Sequence, residues 1–459
     1  MALLEQDHAF EIADAVVGAS EADETEVTLD CVEDRFVRYA HDGPTQSADR
    51  ERYDLSVRVR FRDEGGGYRE ARARTGAIDE VSAFGALSRA LLLARVAAPD
   101  RSAVPLGGSV DVEGTAPSRP TQDHSFREKG EWIGAALDRC EAESLRGAGL
   151  ARTTVTSRSL VNSAGRRVHG ATSRSEFSLT CADHGADAET VGGSSSATSI
   201  RCFVDQLDIE GTIEDAVATA VRSRGPADLE ARPTTVLLEP PAVAALLGFM
   251  TQLGFGARAF HEGGSFLTDR VGDALFADHV SISDDPAHPA LRGLLFDGEG
   301  TVRGRTDLVR AGTLVGPVTD AAWSHRLGLD NTGHAPTTPS SEGPAAEHLV
   351  LEEGTASGQE LLDAVGDGLL VRQLHYVNVL EPRELLLTGM TRGGTFRVRG
   401  GEVGEAVGNL RFTHSLVDAL RNVVAVGDRA ARCSPLMTGE VLVPALVVRG
   451  FRFTSRARA

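Results

Sequence analysis

The sequence predicts an α+β fold, with N-terminal helices packed on antiparallel hairpins and a large β-rich C-terminal region after them. Three observations carry this. Tyr53–Phe61 alternates polar and apolar residues with a period of two, and Gly65-Gly66-Gly67 turns it back into Tyr68–Thr75, so the pair reads as a hairpin. Ser82–Ala97 places Leu87, Leu91, Leu92 and Leu93 on or near one face before Pro99, the pattern of a surface helix. From Val271 onward, short apolar runs are broken by Gly and Asp, which is how a mostly antiparallel sheet with long connections reads.

The remaining elements follow in order. Ala9–Gly18 is an amphipathic helix leading into a strand, Thr25–Cys31, and then a polar stretch to Ala40. Residues 105–128 are linker-like, with Gly107-Gly108, Pro117 and Pro120. A helix over Gly130–Leu145 precedes strands at Gly149–Thr156 and Ser159–Asn162, joined by a tight turn, and a further strand at Glu176–Cys181. Residues 191–199, rich in Gly and Ser, read as a flexible loop, and Ile213–Arg222 as a helix. Helix, hairpin and helix thus occur twice before residue 230, which suggests related subdomains at 1–105 and 106–230 ahead of a third region, 231–459. There Thr234–Glu239 is a buried strand, and Pro240–Gly248 a helix whose prolines sit in the first turn, where no backbone donor is lost. Residues 336–343 read as an exposed loop, and Gly358–Gly366 and Ser415–Val426 as the last helices.

Composition excludes several function classes. The net charge of −19 opposes direct binding to a nucleic-acid backbone, which requires clustered cations to displace counterions. Lys129 is the sole lysine among 47 basic residues. No run approaches the eighteen apolar residues of a membrane-spanning helix, and Met1–His8 lacks the basic and apolar regions of a signal peptide, so a cytoplasmic protein is expected. The cysteines Cys31, Cys140, Cys181, Cys202 and Cys433 form no Cys-x-x-Cys pair, and they fit reduced, mostly buried thiols.

Candidate sites are few. Two imidazoles one helical turn apart and a carboxylate are what a zinc peptidase needs to hold metal and activate water. The chain has neither His-Glu-x-x-His nor His-Glu-x-x-x-His, and its one His-Glu pair, His261-Glu262, runs into Gly263-Gly264 and so belongs to a loop. His325, His334 and His375 are isolated in sequence. Asp297 and Glu299, interleaved with Gly298 and Gly300, read as a tight turn. Gly192–Ser196 lacks the Gly-Lys-Ser/Thr ending of a phosphate loop, and no serine has a Gly-x-Ser-x-Gly context.

Several stretches, taken in order, resemble the TldD/PmbA family, also called modulator of DNA gyrase. They are Phe296-Asp-Gly-Glu-Gly-Thr, Arg326-Leu-Gly-Leu-Asp-Asn-Thr-Gly-His-Ala, Asp367-Gly-Leu-Leu-Val-Arg-Gln-Leu-His, Gly408-Asn-Leu and Asn422-Val-Val-Ala-Val-Gly-Asp. The resemblance implies one of two kinds of subunit. TldD-like subunits carry His-Glu-x-x-x-His and a late cysteine that hold a metal; PmbA (TldE)-like subunits lack the His pair and assemble with the first kind. Here the corresponding helix reads Val243-Ala-Ala-Leu-Leu-Gly-Phe-Met, with hydrocarbon at the metal-binding positions. The implied protein is a noncatalytic or co-catalytic subunit of a metalloprotease acting on small or unfolded peptides. No metal or other cofactor is expected in this chain, and zinc is expected in a TldD-like partner. Cys433 lies near the family's late cysteine, so Cys433, His261 and Glu262 are the candidate catalytic residues. Two alternatives remain open: a freestanding enzyme with a rearranged site in a peptide or natural-product pathway, and a peptide-binding homodimer.

Overall fold

The computed structural model describes residues 4–183, 193–338, 340–435 and 439–457. The first sheet is made of β1 (Glu24–Ala40), β2 (Gly43–Arg62), β3 (Tyr68–Thr75), β4 (Pro99–Asp100), β5 (Leu145–Asn162), β6 (Arg167–Asp183) and β7 (Ser194–Arg201). Its order is β4-β3-β2-β1-β5-β6-β7, antiparallel throughout. Helices α1 (Gln6–Gly18) and α2 (Glu80–Val96) share one apolar core with β1–β3. After the short α3 (Arg119–Asp123), helices α4 (Phe126–Ala142) and α5 (Ile209–Arg222) share a second core with β5–β7. The helix–hairpin–helix pattern seen twice in the sequence is therefore two halves of a single sheet, joined along the β1–β5 ladder.

Several boundaries differ from the sequence reading, each for a local reason. The polar stretch after Cys31 is strand as far as Ala40, because its charges are consumed across the ladder. Asp34 takes Arg152 at 2.6 Å, and Arg35 takes Asp49 at 3.1 Å. The expected turn near residue 157 is absent: Ser157 and Arg158 stay in register with Cys31 and Asp30, and Arg158 grips Asp30 through two nitrogens at 2.6 and 2.8 Å. Val191 and Gly192 lie outside the described residues, but from Ser194 the expected loop is β7, where small hydroxyl side chains hide the alternation of inward Ser195, Ala197 and Ser199. The buried face of α2 is Ala83, Ala86, Leu87, Ala90 and Ala94, which leaves Leu92 and Leu93 exposed. Helix α4 starts at Phe126 because Ser125 and Glu128 form a reciprocal capping box. The hairpin glycines behave as required, with Gly66 and Gly67 at φ of +91° and +81°.

The second sheet holds β8 (Pro233–Leu238), β9 (Ile282–Asp284), β10 (Thr306–Arg310), β11 (Thr313–Leu314), β12 (His348–Leu351), β13 (Gly368–Glu381), β14 (Leu386–Arg399), β15 (Glu402–Ala406), β16 (Leu410–Ser415), β17 (Val423–Cys433) and β18 (Glu440–Arg456). Pairing is antiparallel except for β12–β18 and β13–β8. Because β8 pairs with both β13 and β18, the strands β18-β16-β14-β13-β8 close into a ring. The helices here are short: α6 (Pro240–Leu247), α7 (Ala257–His261), α8 (Ala321–Leu327), α9 (Gly358–Val365) and α10 (Leu416–Arg421). The last is shorter than expected, since Val423 onward is drawn into the ladder with β18. A large core of buried Val, Leu and Phe, including Phe255, Phe266, Phe412 and Phe451, fills much of this region, with smaller clusters beside it such as Leu237, Leu361, Val365, Val398 and Val447.

All five cysteines are free thiols. Cys140 of α4 and Cys181 of β6 meet with sulfurs 3.5 Å apart. The hydrogen bond between them lowers the Cys140 thiol and raises Cys181. We predict that peroxide reaching this buried pair joins them: one sulfur takes a peroxide oxygen and the other peroxide oxygen leaves as water, then the second thiol displaces the sulfenic oxygen as a second water. Non-reducing peptide mapping should show the 140–181 crosslink; persistent free thiols after prolonged treatment would refute it.

Candidate functional site

A cleft of about 530 Å³ lies between the two sheets. One wall is α6, with Glu239 as N-cap residue and two prolines in the first turn. Glu239 is anchored by Arg372, whose Nε is 3.2 Å from its carboxylate and whose Nη1 also reaches Asp215 of α5 at 2.8 Å. Burial raises the Glu239 carboxyl, and Arg372 opposes that rise. The face that α6 turns to the cleft is Pro241, Ala244, Ala245 and Gly248, followed by Phe249.

The opposite walls come from distant segments. Glu176, Thr198 and Ile200 arrive on β6 and β7, and Gln373 to Asn378 on β13. The strand is irregular there: its register with β14 shifts between His375 and Asn378, and Tyr376 has φ of +50° and is 69% exposed. β13 pairs with β8 from Leu369 to Val371, and beyond that point its outer edge is unladdered among the described residues. Among the described residues β7 pairs only with β6. A bond from the Gln373 side chain to the Ser196 carbonyl, 2.7 Å, ties these two edges together.

Cys433 ends β17 at the floor of the cleft, beside Arg432, Ser434 and Pro435. Burial pushes its thiol up to about 12, so it is protonated at neutral pH. His375 shares the cleft, and burial together with nearby Arg392 lowers its imidazole, favouring the neutral form. Among the described residues the charged lining groups are Glu176 and Arg432, and each is paired: Glu176 with Arg174 at 2.6 Å, and Arg432 with Glu440 at 2.8 Å. Arg174 also reaches Glu440 at 2.6 Å, so this network locks the first sheet onto the second beside the cleft.

The other candidates lie elsewhere. His261 is the exposed last residue of α7, edge-on to Trp323, and Glu262 pairs with Arg258 at 2.9 Å; neither lines the cleft with Cys433. Asp297 accepts from the backbone nitrogens of Glu299, Thr301 and Ala335 at 2.8–2.9 Å, which is turn chemistry. Burial raises Glu299 to about 7 against the pull of Arg58. His334 is fully buried, with Nε2 3.1 Å from Asp284. Sequence reasoning passed over Glu176, Ile200, Gln373 and Asn378. One signal was present: the stretch Asp367–His375, which carried the family resemblance, ends inside the cleft.

A zinc site of the His-Glu-x-x-x-His kind does not fit these residues. The helix that would present the imidazoles presents hydrocarbon and a glycine instead, and among the described residues no three His, Cys, Asp or Glu side chains gather closely enough to hold a metal ion. No helix among the described residues is long and apolar enough to cross a membrane.

The two-sheet α+β fold is shared with solved structures of other proteins. Residues 231–455 match the family model for the PmbA/TldA metallopeptidase C-terminal domain. The chain superposes on the crystal structure of TldE from Thermococcus kodakarensis with a TM-score of 0.85 at 18% identity, covering 96% of this chain and 100% of that one. It is 26% identical over 255 residues to the metalloprotease PmbA of Escherichia coli, and 29% identical over 283 residues to a metalloprotease PmbA homolog of Haemophilus influenzae. These matches cover 54% and 60% of this chain and span 53% and 59% of the two relatives. Over residues 231–455 the chain belongs to the TldD/PmbA family.

Proposed function

We propose that this chain is the noncatalytic or co-catalytic subunit of a heterodimeric cytoplasmic metalloprotease that acts on small or unfolded peptides. A TldD-like partner contributes the zinc, the activated water and the carboxylate base. This chain contributes the opposite wall of the peptide path. The observation that carries the reading is the α6 face of Pro241, Ala244, Ala245 and Gly248, which offers no metal ligand where a cleft is otherwise well formed. The unladdered edges of β7 and β13 support it, since an extended peptide can add to such an edge through main-chain bonds with little sequence preference.

The purified chain is expected to hold no stoichiometric zinc and to cleave no peptide. Co-expressed with a His-Glu-x-x-x-His relative, it should co-purify as an active zinc-containing complex. About one tightly bound zinc per isolated chain, together with turnover, would overturn the proposal. His375 and Cys433 in one cleft favour a second reading, a freestanding enzyme that uses them directly. On that reading Cys433→Ser abolishes turnover by the chain alone; on ours it leaves the activity of the assembled pair within about threefold, since a protonated thiol is neither nucleophile nor ligand.

A further inference from the structure

The lining of the cleft says which peptides it takes. We infer, resting on the reading of this cleft as a peptide site, that it selects segments with apolar, uncharged side chains and rejects those bearing carboxylates or ammonium groups. The α6 wall is Pro241, Ala244, Ala245 and Phe249, and Ile200, Leu374 and Val377 stand across from it. Both charged groups at the lining are already neutralised within the fold, Glu176 by Arg174 and Arg432 by Glu440. The other polar side chains of the described lining are neutral amides, hydroxyls, an imidazole and a thiol, and both amides donate within the fold, Gln373 to the Ser196 carbonyl and Asn378 to the Tyr376 carbonyl, 3.1 Å away. A charged side chain entering this space leaves water and meets hydrocarbon, with no unpaired counter-ion among the described lining residues. An apolar one exchanges water for contact with the alanines and Phe249.

Selectivity of this kind is separate from main-chain recognition. Strand edges hold any extended backbone alike, whereas the α6 face discriminates by what the backbone carries. Ala245, partly exposed at this face, is the position where a substitution changes the side chain accepted with least disturbance of the core. Asn378, exposed at the rim, offers a second and milder one.

The test uses the full chain and three end-blocked, fluorescein-labelled hexapeptides: one of Ala, Val and Leu, and two with alternate residues replaced by Glu or by Lys. Fluorescence anisotropy should show the apolar peptide binding at least about tenfold more tightly than either charged one. Asn378→Asp, nearly isosteric, should raise binding of the Lys peptide and lower that of the Glu peptide. Ala245→Asp should reverse the order of the apolar and Lys peptides. Equal binding of all three peptides, abolished in common by Ala245→Trp, would sink the selectivity and leave the peptide cleft standing. Binding of none, or binding indifferent to Ala245→Trp, would remove the peptide reading and the selectivity with it.

Discussion

Replacing Asp284 by alanine is expected to destabilise the chain by about 3–5 kcal/mol, the cost of removing one partner from a buried ion pair. Asp284 is fully buried at the end of β9. One carboxylate oxygen takes Arg303 at 2.8 Å and faces His334 Nε2 at 3.1 Å, and the other accepts the backbone nitrogen of His348 at 2.7 Å. Arg303 is itself buried, and its remaining carboxylate partner is the more exposed Glu347, at 3.1 Å. Without Asp284, the desolvated guanidinium keeps the half-solvated Glu347 as its ion-pair partner among the described residues. The pocket is built to this shape: a side chain on Gly293 would run into the His348 ring.

The same carboxylate sets an acid limit. Burial would raise its pKa, but the His334 hydrogen bond and the Arg303 charge outweigh burial and hold it well below the usual carboxylate range. A group depressed in the folded state contributes its full stabilisation above its unfolded value of about 3.9 and loses it as pH falls through and below that value. The stability gap between the wild type and Asp284→Asn should therefore be constant from neutral pH down to about 5 and shrink below about 4. Denaturant titrations across that range check it; a gap that is absent, or independent of pH, would refute the account.

Glu440→Ala is the second large effect expected, about 3 kcal/mol. Glu440 is the shared acceptor of Arg432 from its own sheet and Arg174 from the other. Arg432 is 5% exposed, and its Nη1 is further engaged by Cys202 at 2.9 Å and the Ala290 carbonyl at 3.0 Å, so it cannot swing out to solvent. Loss of Glu440 sets two guanidiniums against each other at the join between the sheets. Since Arg174 also holds Glu176 at the cleft, the variant should show faster hydrogen exchange along β6 near residues 174–176, beyond what its lower global stability explains. Exchange unchanged there would mean that the network is not the lock between the sheets.

How much of this was legible beforehand differs by element. The β2–β3 hairpin was readable because its glycines must take positive φ, and α6 was readable from its prolines, since both rules operate within a few residues. The length of β1 was not, because Asp34 and Arg35 look like loop residues until Arg152 and Asp49 stand across the ladder. The exposure of Leu92 and Leu93 was also missed: the α2 contact face is alanine-rich, and alanines allow close packing without announcing a stripe. Among the candidate residues, Cys433 lies in the cleft and His375 joins it, whereas His261 and Glu262 face solvent at a helix end.

Sequence alone determined the α+β class, the family resemblance and the lack of a His-Glu-x-x-x-His motif, because turn chemistry, periodicity and the spacing of residues on one helix are short-range properties written in consecutive residues. Only the tertiary structure decided that Glu176, His375 and Cys433 line one cleft, and that Asp284 meets Arg303, His334 and the backbone nitrogen of His348 in the core. Buried charges and cleft walls find their partners through chain crossings of many tens of residues, and nothing local in the chain encodes those meetings.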